Sequence, residues 1–147
     1  MTAPVFVDTN VFLYAMDASH AKKQALARDW RAELWKTRAG RTSFQVLQEF
    51  YVNAVQKLPV GAEEAQAEIR DLLAWRPVVV NPELLERGWR IQDRYKFSFW
   101  DAMIVAAAKA SACRYLLTED LQRGQNLDGI IVLDPFRDEP ASFVTSS

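Results

Sequence analysis

The stretch "VFVDTNVFLY", residues 5–14, places one carboxylate between two strongly apolar runs. Val5, Phe6 and Val7 read as the first buried strand of the fold, and a helix-forming stretch follows Asn10. Asp8 therefore arrives at the carboxyl end of a strand, beside the core. A charge that loses water without a partner costs several kcal/mol. Something must compensate it: a helix N-terminus, a basic side chain or a metal ion.

Outward from this point the chain alternates short apolar runs with helical patterns. "SHAKKQALARDWRAELWK" (19–36) spaces Ala25, Leu26, Trp30, Leu34 and Trp35 as an amphipathic helix, ended by Gly40. "RTS" (41–43) allows a brief strand, and Ser43 caps the helix "FQVLQEFYVNAVQKL" (44–58), which Pro59 and Gly61 stop. A helix over "AEEAQAEIRDLLAW" (62–75), a β-branched strand over "PVVV" (77–80) and a helix from Pro82 through "PELLERGWRIQDRY" follow. An Ala-rich helix from Trp100 to Ala112 and strands over "YLLT" (115–118) and "IIVL" (130–133) complete the pattern. Strands separated by helices, with no tight hairpin between them, predict right-handed crossovers and a parallel sheet. The expected fold is a single α/β domain over residues 1–147, a sandwich around a mainly parallel sheet of four or five strands. Ligands of such sheets bind outside the carboxyl ends of the strands. Asp8 lies at that edge, and Asp120, after "YLLT", lies at the equivalent end of a later strand.

Composition narrows the chemistry. A chain of 147 residues, 50% hydrophobic and 25% charged, is an ordinary globular domain that buries roughly 70% of its unfolded surface. No apolar run approaches the roughly 20 residues of a membrane span, and the Met-Thr-Ala-Pro start lacks a basic region before an apolar core. A cytoplasmic protein is expected. Cys113 is alone, so no internal disulfide forms, and in "AAAKASAC" it reads as a packed thiol. His20 is also alone and reads as a solvated residue at a helix start, which excludes multi-histidine metal sites. Any metal must be held by oxygen. The net charge of −1 hides segregation: residues 22–41 carry seven basic and two acidic side chains, residues 119–139 six acidic and two basic. Such a pattern steers a polyanion toward one face.

Four acids stand together as candidates: Asp8, Glu49 in "SFQVLQEFY", Asp101 in "FSFWDAMIVAAA" and Asp120 in "YLLTEDL". Each has a plainer reading alone. Asp8 suits a turn; Ser98 and Asp101 form a Ser-x-x-Asp helix start; Asp120 is a loop acid beside Glu119, which could take the same part. Glu49 is flanked by Val46, Leu47 and Phe50, so it is at least partly buried. Converging carboxylates repel one another unless a cation or a proton joins them. Oxygen donors without histidine or thiolate select Mg²⁺ or Mn²⁺. A phosphoacceptor receiver, a haloacid-dehalogenase-like phosphatase and a dinucleotide-binding domain fail on missing residues: an acid pair, an Asp where Asn10 stands, and a glycine-rich first turn.

In order and spacing, "VFVDTNVFLYAMD", the helical Glu49, "FSFWDAMIVAAA" and "YLLTEDL" resemble the PIN domain (PilT N-terminal domain), and within it the VapC-like toxins. The resemblance runs from Val5 to about Phe136. It implies a Rossmann-like fold and a Mg²⁺- or Mn²⁺-dependent endoribonuclease that hydrolyses RNA phosphodiesters to a 3′-hydroxyl and a 5′-phosphate. It also implies a toxin, usually a homodimer, neutralised by a cognate antitoxin. Asp8, Glu49, Asp101 and Asp120 match the four family acids, as both catalytic and metal-holding residues. Thr9 or Asn10 matches the polar support of the first acid, Thr118 the hydroxyl before the last, and Ser98 supports Asp101. Gln122 and Arg123 stand where the family often has a further acid, which weakens a second metal site. Lys22, Lys23, Arg28 and Arg31 are candidate RNA contacts. Phe97, Phe99 and Trp100 are base-stacking, core or dimer residues, and Trp30, Trp35, Phe44 and Tyr51 offer apolar surface for a dimer. The alternatives are a PIN nuclease that processes RNA without an antitoxin, and a non-catalytic PIN fold that binds RNA or protein.

Overall fold

The computed structural model describes residues 2–144. Five strands form one sheet in the order β2-β1-β3-β5-β4: β1 (Val5–Val7), β2 (Gly40–Arg41), β3 (Tyr115–Leu117), β4 (Asn126–Leu127) and β5 (Ile130–Leu133). β1 pairs in parallel with β2 and β3, and β3 in parallel with β5, while β4 runs antiparallel to β5. Val5, Phe6 and Val7 are all buried, as a strand covered on both faces requires. Among the described residues six α-helices surround the sheet: α1 (Thr9–Ala15), α2 (Ala21–Thr37), α3 (Phe44–Lys57), α4 (Ala62–Leu72), α5 (Pro82–Tyr95) and α6 (Phe99–Ala110). The expected mainly parallel α/β architecture stands.

Local chemistry starts the helices. Ser43 Oγ accepts from Val46 N, Asn81 Oδ1 from Leu84 N with Pro82 behind it, and Ser98 Oγ from Asp101 N. α6 is the central helix: its residues from Ala102 to Ala108 are all buried. Gly88 of α5 gives way to it, because a Cβ there would collide with Met103 Sδ.

Four expectations need correction. "PVVV" is not a strand; only Val78 forms a single parallel bridge, to Ser43, and Val79 and Val80 are exposed. β2 is two residues long, so it templates nothing further. α2 ends at Thr37 through Arg38 in the left-handed conformation (φ 60°), not at Gly40. A tight hairpin does exist, since Asp128 (φ 53°) and Gly129 (φ 99°) link Leu127 to its partner Ile130. Two left-handed residues between paired strands are the type I′ turn that Asp-Gly favours. Trp30 is fully buried, its Nε1 donating to Asp138 O at 3.0 Å, so it offers nothing to a dimer surface.

Gly40 serves close packing instead. A Cβ placed on it would lie 2.5 Å from the Trp75 ring, itself buried against Phe12. Gly40→Ala is expected to destabilise the fold by about 1–3 kcal/mol, the range for overpacking. Urea unfolding checks this, with a lowered midpoint and an unchanged slope.

Candidate active site

The carboxyl ends of β1, β3 and β5 lie side by side: Asp8 N donates to Leu117 O at 3.1 Å, joining β1 to β3, and Thr118 N donates to Leu133 O at 3.0 Å, joining β3 to β5. Asp8 and Thr118 are the first residues beyond the ends of β1 and β3. Asp8 is the N-cap of α1: its Oδ1 accepts from Thr9 N at 2.7 Å, and its Oδ2 accepts from Thr118 Oγ1 at 2.9 Å. It is only 7% exposed, and burial pushes its carboxyl up to about 6. The bonds from Thr9 N and Thr118 oppose that rise, and the Asp120 and Glu49 charges add to it. The helix terminus and a hydroxyl thus compensate part of the charge. No Lys or Arg bonds to Asp8 among the described residues.

Three short polar side chains tie other acids to this one. Thr9 Oγ1 donates to Glu49 Oε2 at 3.0 Å, across 40 residues of sequence. Asn10 Nδ2 donates to Thr118 Oγ1 at 3.1 Å and to Asp120 Oδ2 at 3.2 Å, while Asp120 N donates to the same Thr118 oxygen at 3.1 Å. The Thr118 hydroxyl is therefore saturated. Both acceptor positions are taken, so its one proton points to Asp8. Asp8, Glu49 and Asp120 belong to one network.

Gln45 was absent from the expected set. One turn before Glu49 on α3, its Nε2 donates to Glu49 Oε1 at 3.2 Å and reaches Trp100 O at 3.4 Å. It holds Glu49 against the start of α6, and the i, i+4 spacing was the available signal. Asp101 lies in the first turn of α6, its backbone N–H bonded to Ser98 Oγ. Its half-buried carboxylate makes no hydrogen bond or ion pair among the described residues. Glu119 turns away to Lys23 Nζ at 3.2 Å, whereas its neighbour Asp120 faces the network.

The donor chemistry fits a hard cation. All the candidate ligands present oxygen, and Asn10 Oδ1 is a buried acceptor with no partner. The Asn10 amide cannot turn to satisfy it, because its oxygen would then meet the Asp120 carboxylate. Such an acceptor suits a water of a hydrated ion. Among the described residues no three His, Cys, Asp or Glu side chains close on a common point. The arrangement is open rather than caged, and Mg²⁺ accommodates this, since it takes one or two carboxylates and keeps several waters.

Three of the four expected RNA contacts are engaged within the fold. Lys23 pairs with Glu119 and lies 4.7 Å from the centroids of Tyr14 and Phe136. Arg28 Nε donates to Ala15 O, and Arg31 grips Glu68 through two bonds at 2.7 and 3.1 Å. Lys22 is exposed. Phe97 stacks on Tyr95, Phe99 packs on the core, and Trp100 remains 63% exposed beside Asp101. The lone Cys113 is buried, its thiol pushed up to about 11 by that burial, as a packing role requires. No helix among the described residues is long and apolar enough to cross a membrane.

The family model that matches is that of the PIN domain, over residues 5–123. Among solved structures the chain is similar to VapC20 of Mycobacterium tuberculosis, a toxin that cleaves the sarcin-ricin loop. Identity is 26%, with 76% of this chain and 86% of that chain covered and a TM-score of 0.60. It is also similar in fold to a chain of a toxin-antitoxin complex from Klebsiella pneumoniae. There the identity is 20%, 91% and 99% of the two chains are covered, and the TM-score is 0.59. A search of curated protein sequences returns no match.

Proposed function

The chain belongs to the PIN-domain family, and from that premise we propose that it is a Mg²⁺- or Mn²⁺-dependent endoribonuclease, the toxin of a toxin-antitoxin pair. The observation that carries the reading is the network itself: Asp8, Glu49 and Asp120, from three separate segments, joined by Thr9, Asn10 and Thr118 at the sheet's carboxyl edge. The likeness to VapC20 supports RNA as the substrate class, and the likeness to a chain of a toxin-antitoxin complex supports an antitoxin as partner. We read the assembly as a homodimer. Phe44, Val52 and Val55 are exposed along one stripe of α3, the kind of surface a second copy would cover.

Asp8, Glu49 and Asp120 would hold the ion, and Asp101, with no internal partner, is free to complete the set. A bound divalent cation supplies Lewis acidity toward water and toward the phosphoryl oxygens. The protein's own groups do the positioning. Thr9 and Gln45 each take one oxygen of Glu49, so its carboxylate cannot rotate. Thr118 keeps the facing Asp8 oxygen an acceptor, and Asn10 Oδ1, a buried acceptor without a partner, would accept from a water of the hydrated ion.

Purified protein should cut RNA only with Mg²⁺ or Mn²⁺, leaving a 3′-hydroxyl and a 5′-phosphate. Asp101→Asn should lower cleavage by more than the roughly 10- to 100-fold carried by outer partners of a metal site. Equal cleavage by Asp101→Asn and the parent would sink the site. Expression of the parent should arrest growth of a bacterial host, and absence of that effect would remove the toxin reading. The fourth acid has its own comparison. Glu119→Gln breaks only a surface pair worth about 0–1 kcal/mol and should leave cleavage unchanged, whereas Asp120→Asn should reduce it strongly.

A further inference from the structure

The basic segment 22–41 leaves a remainder once Lys23, Arg28 and Arg31 are assigned internal partners. Arg38 and Arg41 have no carboxylate partner among the described residues, and the fold brings Arg76 from a distant segment to join them. All three line one open cavity of about 800 Å³ together with Trp35, Trp75 and Ser111, and no Asp or Glu lines it among the described residues. Arg38 and Arg76 both occupy the left-handed conformation, at φ 60° and 53°, each ending a helical segment. Such conformations cost about 1–3 kcal/mol and persist where the surroundings hold them. Two of the three guanidinium stems therefore start from fixed backbone. Arg41 Nη1 donates to Arg38 O and Gly40 O at 3.0 and 2.8 Å, which leaves its Nε and Nη2 hydrogens for a ligand.

The aromatic wall is equally prepared. Arg31, held by Glu68, places its guanidinium carbon 4.7 Å from the Trp35 ring centroid. Trp35 is stiffened from that side and still 43% exposed where it lines the cavity. Unpaired arginines beside a fixed, exposed aromatic ring match a nucleotide unit, with phosphate on guanidinium and base on indole. An acidic peptide would use the charges but leave the ring without a purpose.

We propose that this cavity is an RNA exosite that binds a single-stranded stretch of substrate away from the cut, through Arg38, Arg41, Arg76 and Trp35. It rests on the reading of the chain as a ribonuclease. The cavity lies at the opposite end of the sheet from Asp8: Gly40 in its wall pairs with Val5, the first residue of β1. Asp101 and Ala110, at the two ends of α6, mark the separation as about 14 Å along the helix. Only RNA several nucleotides long can occupy both places.

The test is anisotropy of a fluorescent single-stranded 20-mer RNA with the full chain, without divalent ion, over a range of salt. The triple variant R38Q/R41Q/R76Q should bind at least about tenfold more weakly, with a salt slope flatter by about 2, since each phosphate contact on a single strand contributes about 0.7. Trp35→Ala should weaken binding with the slope unchanged. In the cleavage assay the triple variant should raise KM for a long RNA and leave hydrolysis of a dinucleotide, too short to reach both places, as in the parent. Unchanged affinity and slope in the triple variant would overturn the exosite. So would a poly-glutamate peptide that competes with RNA equally well against the parent and Trp35→Ala, because the surface would then be a protein-docking face. Anisotropy reads the exosite even if the chain cuts no RNA, so its failure and failure of the nuclease reading remain distinct.

Discussion

Asp8→Asn is expected to abolish RNA cleavage while making the metal-free protein more stable at neutral pH. The Asp8 carboxyl stands at about 6 in the fold against 3.8 in the unfolded chain, chiefly through burial. At 1.36 kcal/mol for each pH unit, that difference is worth about 3 kcal/mol. The raised value fixes the sign: the stabilisation from protonated Asp8 is fully present below pH 3.8 and is lost as pH rises through about 6. At pH 7.5 the native protein carries the whole burden of a buried anion, and asparagine removes it. The amide cannot serve both old donors, because Thr9 N and Thr118 Oγ1 each need an oxygen. That conflict returns about 1 kcal/mol. The net gain is about 2 kcal/mol, or roughly 4–8 °C in Tm for a chain of this size. Differential scanning calorimetry at pH 7.5 in chelator measures it. Added Mg²⁺ should then raise the Tm of the parent, by linkage to binding, and leave the variant unmoved. A variant that melts at or below the parent in chelator, with parent stability flat between pH 4 and 7, would remove burial of this charge as the organising feature of the site.

The sequence made the acids visible and hid most of what holds them. Asp8 was legible because an apolar run ends on it, and Asp101 because it lies between Phe97, Phe99, Trp100 and the apolar "AMIVAAA", although Ser98 three residues before it offers a plainer reading as a helix start. Glu49 stood out as a charge among core residues. The function of Thr118 depends on β1 and β3 being neighbours, a contact across 110 residues that no local pattern encodes. The partners of the basic side chains are hidden for a related reason. Arg31 looks like any solvated helix charge until α4 brings Glu68 to it, whereas Arg38 gains meaning only beside Arg76. "PVVV" had strand propensity without a partner strand long enough to use it. Asp128-Gly129 is the opposite case, a turn signal that stands in two adjacent residues and that the reading of the sequence, which expects no tight hairpin, passes over.

Thr118→Val should act on the same charge in the opposite direction. Valine nearly matches threonine in shape, so the change deletes a hydroxyl and little else. Asp8 Oδ2 loses its donor, and Asn10 Nδ2 and Asp120 N lose a shared acceptor, though Asn10 keeps Asp120 Oδ2. Buried groups left unmatched cost about 1–3 kcal/mol each. With Asp120 partly solvated, a total loss of about 2–4 kcal/mol is expected in urea unfolding. Thr118 lies in the wall of the site as a positioning residue, so its loss also has a signature that a packing defect lacks. The hydroxyl is one of the contacts that hold the Asp8 carboxyl down. Without it the carboxyl rises above about 6, toward neutral pH, and the proposed ion binding requires the deprotonated form. The acid limb of the kcat/KM profile should move to higher pH. At pH 7 the rate should fall by about 10- to 100-fold, as for other outer partners of a metal site, and recover on the alkaline side. Thr118→Ser, which keeps the hydroxyl, should restore the parent profile at some cost in packing. If Thr118→Val loses stability but its acid limb stays in place, the hydroxyl supports only the fold. If the limb shifts while Asp8→Asn gains stability, the two substitutions together identify the Asp8 charge as the burden and Thr118 as part of its compensation.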